Sequence, residues 1–188
     1  SSMSDNVTDL LLRWREGDET GALSYIHRGG LGKSPFGALM LEFYDAAHGD
    51  MAGSARDFAN STSKMGTKLS LADLQTIYRG TYGGVTQRQA ALKILDAHLD
   101  DDWTPTMLLQ VGEPARSLDL YARGHSGLSD GYLNWLWQPE PWSRKARQDP
   151  AFQGFAQRIG MIAYWKRYGW PELCQPAPTK GPDAFVCR

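Results

Sequence analysis

The sequence predicts an all-α fold: a short right-handed solenoid of stacked helix pairs, closed by a C-terminal capping helix region. Three observations carry that expectation. Apolar residues recur at spacings of three and four along most of the chain, which is the mark of amphipathic helices. Alternating β-branched runs are absent, and Phe185-Val186 is too short to count as a strand. A glycine-centred turn returns at Gly17, Gly49, Gly84 and Gly112, with spacings of 32, 35 and 28 residues. Such a period belongs to units of two helices that cannot bury their apolar faces alone and so must stack.

Taken in chain order, Val7, Leu10, Leu11 and Trp14 form one face of a first helix. A fuller stripe follows in Phe36, Leu39, Met40, Phe43, Tyr44 and Ala47. Leu71, Leu74, Ile77 and Tyr78 repeat the pattern, then Ala91, Leu92, Leu95 and Leu99, and Met107, Leu108 and Val111 face Leu118 and Tyr121 across the Gly112 turn. Start signals agree with these faces. Ser34-Pro35, Thr104-Pro105 and Asp149-Pro150 each set a capping oxygen before a proline at the first helical position. Ser70 with Asp73 reads as a capping box. Gly124, Gly127, Gly131, Pro139 and Pro141 interrupt the helical pattern, and Trp135, Trp137 and Trp142 cluster there. A last amphipathic stretch carries Phe152, Phe155, Ile159, Ile162 and Trp165 on one side and is expected to cover the open end of the array. The resulting division is an array over 1–135, a Trp-rich cap over 136–170 and an irregular Pro-rich tail over 171–188.

Composition narrows the function classes. A hydrophobic content of 41% with seven Trp excludes a disordered chain. A net charge of -1 gives no global field for nucleic acid or an anionic membrane, so no nucleic-acid partner is expected. The charge is unevenly spread: residues 142–170 hold six basic residues and only Asp149 as an acid. No apolar run approaches the roughly 20 residues of a membrane span. No charged-then-apolar leader opens the sequence, and the chain fits a piece of a longer protein as well as a whole one. Cys174 and Cys187 lie 13 residues apart. They suit a disulfide in an oxidising compartment such as the periplasm, or two reduced thiols in the cytoplasm.

Chemistry-bearing motifs are sparse. The run His27-Arg28-Gly29-Gly30-Leu31-Gly32-Lys33-Ser34 ends like a phosphate-binding loop, but that loop needs a glycine where His27 stands and a strand before it. Gly124-His125-Ser126-Gly127 resembles part of a nucleophile elbow without its leading strand. His27, His48, His98 and His125 sit in different units without ligand spacing. Asp96, Asp100, Asp101 and Asp102 read as a solvated acidic face at a helix end, where they oppose the dipole. Arg144, Lys145, Arg147, Arg158, Lys166 and Arg167 alternate with Trp142, Tyr164, Trp165, Tyr168 and Trp170, which reads as a Trp-anchored cap with charged outer faces. No cofactor and no metal is expected, and no catalytic residue is assigned.

Two family resemblances follow from quoted stretches. Gly112-Glu113-Pro114-Ala115-Arg116-Ser117-Leu118-Asp119-Leu120-Tyr121-Ala122-Arg123-Gly124 resembles the second helix of a tetratricopeptide repeat: a glycine turn, then a small residue, an aromatic and another small residue. Gly17-Asp18 through Ala22, Ile26 and Gly29 follows the same scheme, while Gly83-Gly84 departs by one residue and lacks the acidic neighbour. Arg147-Gln148-Asp149-Pro150-Ala151-Phe152, Arg158-Ile159-Gly160, Tyr164-Trp165 and Gly169 through Cys174 resemble the C-terminal segment of bacterial proteins. In these, tetratricopeptide regions follow a winged-helix regulator or an adenylate-cyclase-like module. The resemblance implies a protein-interaction or ligand-sensing module of a bacterial signalling or transcription-regulatory protein, with a peptide or protein partner. Solenoid curvature would present Tyr44, Tyr78 and Tyr82 on a concave binding face. The alternative is a small-molecule enzyme with a pocket between array and cap.

Overall fold

Helix caps set the element boundaries. In the computed structural model, which describes residues 3–28, 31, 34–64, 66–124 and 135–188, eleven α-helices and one small two-stranded sheet are found among the described residues. The helices are α1 (Met3–Arg15), α2 (Glu19–Arg28), α3 (Pro35–Ala47), α4 (Met51–Ser63), α5 (Leu71–Tyr82), α6 (Val85–Ala97), α7 (Thr104–Gln110), α8 (Pro114–Ala122), α9 (Pro141–Gln148), α10 (Pro150–Arg158) and α11 (Met161–Tyr168). Ser34 accepts from the Gly37 amide, Asp149 from that of Ala151, and Ser70 and Asp73 close a full capping box. Each satisfies an amide that a helix start leaves without an intrahelical partner. Thr104 departs from the expected pattern: it is itself the first residue of α7, and Trp103 holds the cap position without a side-chain bond.

The chain divides into two compact units, residues 1–101 and 102–188, so the expected boundaries near 135 and 170 both fall inside the second. In the first unit, α1 pairs with α2, α3 with α4 and α5 with α6 as successive helical hairpins. Two of their turns share one geometry. Gly17 and Gly49 take φ of 76° and 83°, a left-handed conformation that costs glycine little. The glycine amide bonds three residues back, Gly17 to Trp14 and Gly49 to Ala46, and the next amide bonds five back, Asp18 to Arg13 and Asp50 to Asp45. This is the Schellman closure. Asp18 and Asp50 then cap the following helix through the amides of Gly21 and Gly53, at 2.9 and 2.8 Å. Five residues after each turn glycine, Ala22 and Ser54 are fully buried. The third turn is built differently: Gly83 and Gly84 run in extended backbone, and α5 and α6 approach through Gly80, where a Cβ would collide with that of Ala91.

The expected helical faces bury as a core of Leu10, Trp14, Ile26, Leu39, Met40, Phe43, Leu74, Ile77, Ala91 and Leu95, joined by Phe58 of α4, which no sequence stripe marked. Leu71 and Leu99, read as part of those stripes, are exposed instead: Leu71 is the first residue of α5, and Leu99 lies past the end of α6. The acidic run is also more than a solvated face. Asp101 is buried and accepts from Thr67 Oγ1 at 2.9 Å and from the Lys68 amide at 2.5 Å, while Lys68 Nζ pairs with Asp100 at 2.8 Å. The end of α6 is thereby tied to the segment that enters α5.

In the second unit, the Gly112 turn repeats the closure of Gly17 and Gly49, with φ of 88° and bonds from Gly112 to Leu109 and Glu113 to Leu108. Ser117 takes the buried small-residue place and donates to the Pro105 carbonyl at 2.6 Å. Leu109 and Leu118 of this pair share one core with Leu136, Phe152, Phe155, Ile162, Trp165 and Phe185, and the Tyr121 and Phe155 rings meet edge to face at 6.4 Å. The expected single capping stretch is two helices, because Gly160 at φ 80° breaks it and leaves Ile159 at the surface.

The tail corrects the expectation of irregular structure. β1 (Cys174–Pro176) and β2 (Phe185–Cys187) pair antiparallel in the register Cys174↔Cys187, Gln175↔Val186, Pro176↔Phe185. A disulfide joins Cys174 to Cys187. Strands this short are held by what they bury: Phe185 packs against Phe152, Trp165 and Trp170, with centroids 5.4 to 5.8 Å away.

Two stability outcomes follow from this core. Phe155→Ala should cost about 3–5 kcal/mol in chemical denaturation, the usual loss for emptying a buried aromatic site. Cys174→Ser opens a loop with a sequence separation of 13 and should cost about 3 kcal/mol. A wild-type midpoint unaffected by reductant would count against the second figure.

Candidate functional site

Polar groups from three helices of the first unit converge near the turns of its hairpins. Glu42 on α3 is fully buried, although it is the lone charge in the run Phe36–Tyr44. Tyr82, in the last turn of α5, donates its hydroxyl to Glu42 Oε1 at 3.0 Å. Tyr78, one turn earlier, donates to the Met51 carbonyl at 3.1 Å, and the two rings lie 4.9 Å apart. The fully buried Ser54 of α4 faces both phenols. Burial raises the pKa of each phenol, and the Glu42 charge pushes in the same direction, while the Ser54 hydroxyl works against the shift.

Carboxylates gather beside this network. Burial raises the pKa of Asp45 on α3, helped by the neighbouring Asp57 and Asp50 and opposed by Arg56. The missing side chain of Gly53 makes the room: a Cβ there would strike the carboxylates of Asp45 and Asp50. The turns themselves lie next to one another. His48, at the C-terminal cap of α3, comes 3.6 Å from Glu19 at the start of α2, and the Tyr78–Met51 bond joins the α3–α4 turn to α5.

The three tyrosines expected on one concave face have different fates. Tyr78 is a core residue whose hydroxyl is already committed. Tyr82 is 38% exposed, and its hydroxyl is bonded to the buried Glu42. Tyr44 is half-buried and stacks on His48 at 4.1 Å, so it belongs to the turn region but not to the Glu42 network. Val85, just past the Gly83-Gly84 turn, is 75% exposed, and Met51, whose carbonyl takes the Tyr78 hydroxyl, is exposed as well.

The basic and aromatic set of the second unit separates by role. Arg147 is buried; its guanidinium donates to the carbonyls of Leu136, Gln138 and Arg188. Burial, then the charge of Arg144, lowers its pKa to about 10. Arg158 pairs with Asp119 and Lys166 with Asp183. Tyr164 and Tyr168 stand at the surface, whereas Trp165 is core.

Among the described residues, no cluster of three or more His, Cys, Asp or Glu side chains is arranged to hold a metal ion. No described helix is long and apolar enough to cross a membrane. Gly29, Gly30, Gly32 and Lys33 of the phosphate-loop-like run, and His125, Ser126, Gly127 and Gly131, lie outside the described residues. No family model, no curated protein and no solved structure matches this chain. The tetratricopeptide and bacterial-regulator resemblances therefore rest on the quoted stretches alone.

Tyr82→Phe should lower the unfolding free energy by about 1–2 kcal/mol at neutral pH, since Glu42 loses a donor. The pH dependence has a definite sign. Tyr82 has a raised folded pKa, so its contribution is complete below the ordinary phenol value of 10.0 and falls as pH rises beyond it, where only the unfolded chain ionises. The stability gap between parent and Tyr82→Phe should narrow above pH 10 in denaturant titrations. A gap that widens there would contradict the placement of the phenol.

Proposed function

We propose that this chain is a protein-interaction module, a short solenoid of helical hairpins acting by capture of a partner segment and not by catalysis. The supporting observation is the edge where the hairpin turns of residues 1–101 lie side by side. Exposed apolar residues stand at two of these turns, Met51 at the α3–α4 turn and Tyr82 and Val85 at the α5–α6 turn, while the carboxylates of Glu19, Asp45 and Asp50 belong to the α1–α2 and α3–α4 turns. An apolar surface rimmed by acids is complementary to a segment carrying apolar side chains and Lys or Arg. Tyr82 is suited to anchor it, because the Glu42 bond fixes its ring before a partner arrives and lowers the ordering cost of binding. The recurring glycine turns support the stacked-hairpin reading, in keeping with the tetratricopeptide resemblance. The bacterial signalling role rests on the second resemblance, and the disulfide favours an oxidising compartment for the module.

The test uses a fluorescein-labelled peptide of alternating Leu and Lys, with a Ser and Lys peptide as control. Fluorescence anisotropy should show the parent preferring the Leu peptide. Val85→Lys should weaken that binding about tenfold or more, the loss typical of a central interface residue, with an unchanged thermal midpoint. Equal affinity for both peptides, or indifference to Val85→Lys, would refute the site.

A further inference from the structure

Helix α11 presents two opposite surfaces. Ile162 and Trp165 enter the aromatic core. Tyr164, Arg167 and Tyr168, spaced so that they share one face, point outward. Tyr164 is 61% exposed and Tyr168 62%. The side chains are nonetheless ordered by one another. The two rings lie 4.8 Å apart, and the Arg167 guanidinium sits over the Tyr168 ring at 5.1 Å.

Charge decides what such a face can accept. In the second unit the carboxylates of Asp119, Asp183 and Glu172 are each engaged by Arg or Lys, and Asp149 caps α10. Arg167 has no acidic partner among the described residues. A guanidinium held over the Tyr168 ring, with Tyr164 stacked beyond that ring, is therefore left exposed, on the stretch 142–170 where basic residues outnumber acids six to one.

We propose that the Tyr164–Arg167–Tyr168 face is a docking site for an acidic protein segment, separate from the edge around Tyr82. Tyrosine and arginine are the residues that most often carry interface energy, and the guanidinium fork matches a carboxylate in two bonds. The number of cations favours carboxylates over a polynucleotide. A single-stranded nucleic acid needs a cationic track, whereas Arg167 is the one cation of this face, and the nearby Arg158 and Lys166 are paired with Asp119 and Asp183. One guanidinium beside exposed phenols suits Asp or Glu side chains.

The inference stands or falls independently of the proposed function, and the same chain tests both. A fluorescein-labelled twelve-residue peptide of Glu and Leu should bind the 188-residue parent in anisotropy measurements and weaken as salt rises. Arg167→Glu should reduce affinity about tenfold or more, Tyr164→Ala somewhat less, and Arg167→Lys should keep part of it. All three should leave the thermal midpoint unchanged, and Val85→Lys should leave this peptide's binding intact. Four outcomes overturn the proposal: no binding of the acidic peptide; binding indifferent to Arg167→Glu; tighter Arg167-dependent binding of a fifteen-residue oligothymidylate or of phosphatidylserine vesicles; or a parent dimer that Arg167→Glu converts to monomer in light scattering, which makes the occupant a second copy of the chain.

Discussion

A helix that ends must satisfy its last carbonyls, and several helices of this chain do so with a glycine in left-handed conformation. At Gly17, Gly49 and Gly112 the backbone folds back through the same pair of hydrogen bonds, and the direction of the next helix is set within two residues. At the first two an aspartate then caps that helix; at the third Pro114 starts it. The reversal is too tight to leave room for large side chains where the paired helices first meet, which is why Ala22, Ser54 and Ser117 occupy the same buried place. The Glu42–Tyr82–Tyr78 network depends on this spacing, since Ser54 is what lets α4 approach the phenols.

Much of the architecture was legible in the sequence because helix periodicity and caps are local. The faces containing Leu10, Met40, Ile77 and Leu95 were written in spacings of three and four, and the Ser70–Asp73 capping box in four residues. Long-range partnerships were not legible. Nothing near Asp101 announces that it will accept from Thr67 and Lys68, more than thirty positions away, and the repetition of Asp around it suggests solvent instead. The hairpin of β1 and β2 escaped for a related reason: three-residue strands have no periodicity to read, and their stability lies in Phe185 reaching an aromatic cluster built by other helices.

The site was half visible. Tyr78 and Tyr82 were read as neighbours on one helix face, which they are, but their exposure depends on what faces them. The signal that separates them is Glu42, a single charge inside an otherwise apolar stretch. A carboxyl there has to be solvated by something, and a tyrosine with its hydroxyl turned inward is the group that does it. Arg147 shows the same logic in the second unit, where a buried cation is accommodated by main-chain carbonyls.

The aromatic core of the second unit has a consequence for observing the molecule. Six of the seven tryptophans fall at position 103 or later, and Trp14 alone reports on the first unit. Intrinsic tryptophan emission is therefore almost wholly a signal from residues 102–188, while far-ultraviolet dichroism is weighted toward the larger helical content of residues 1–101. The two optical probes view different halves of one chain. Whether their melting curves superimpose is thus a direct measure of whether the halves unfold as one cooperative body.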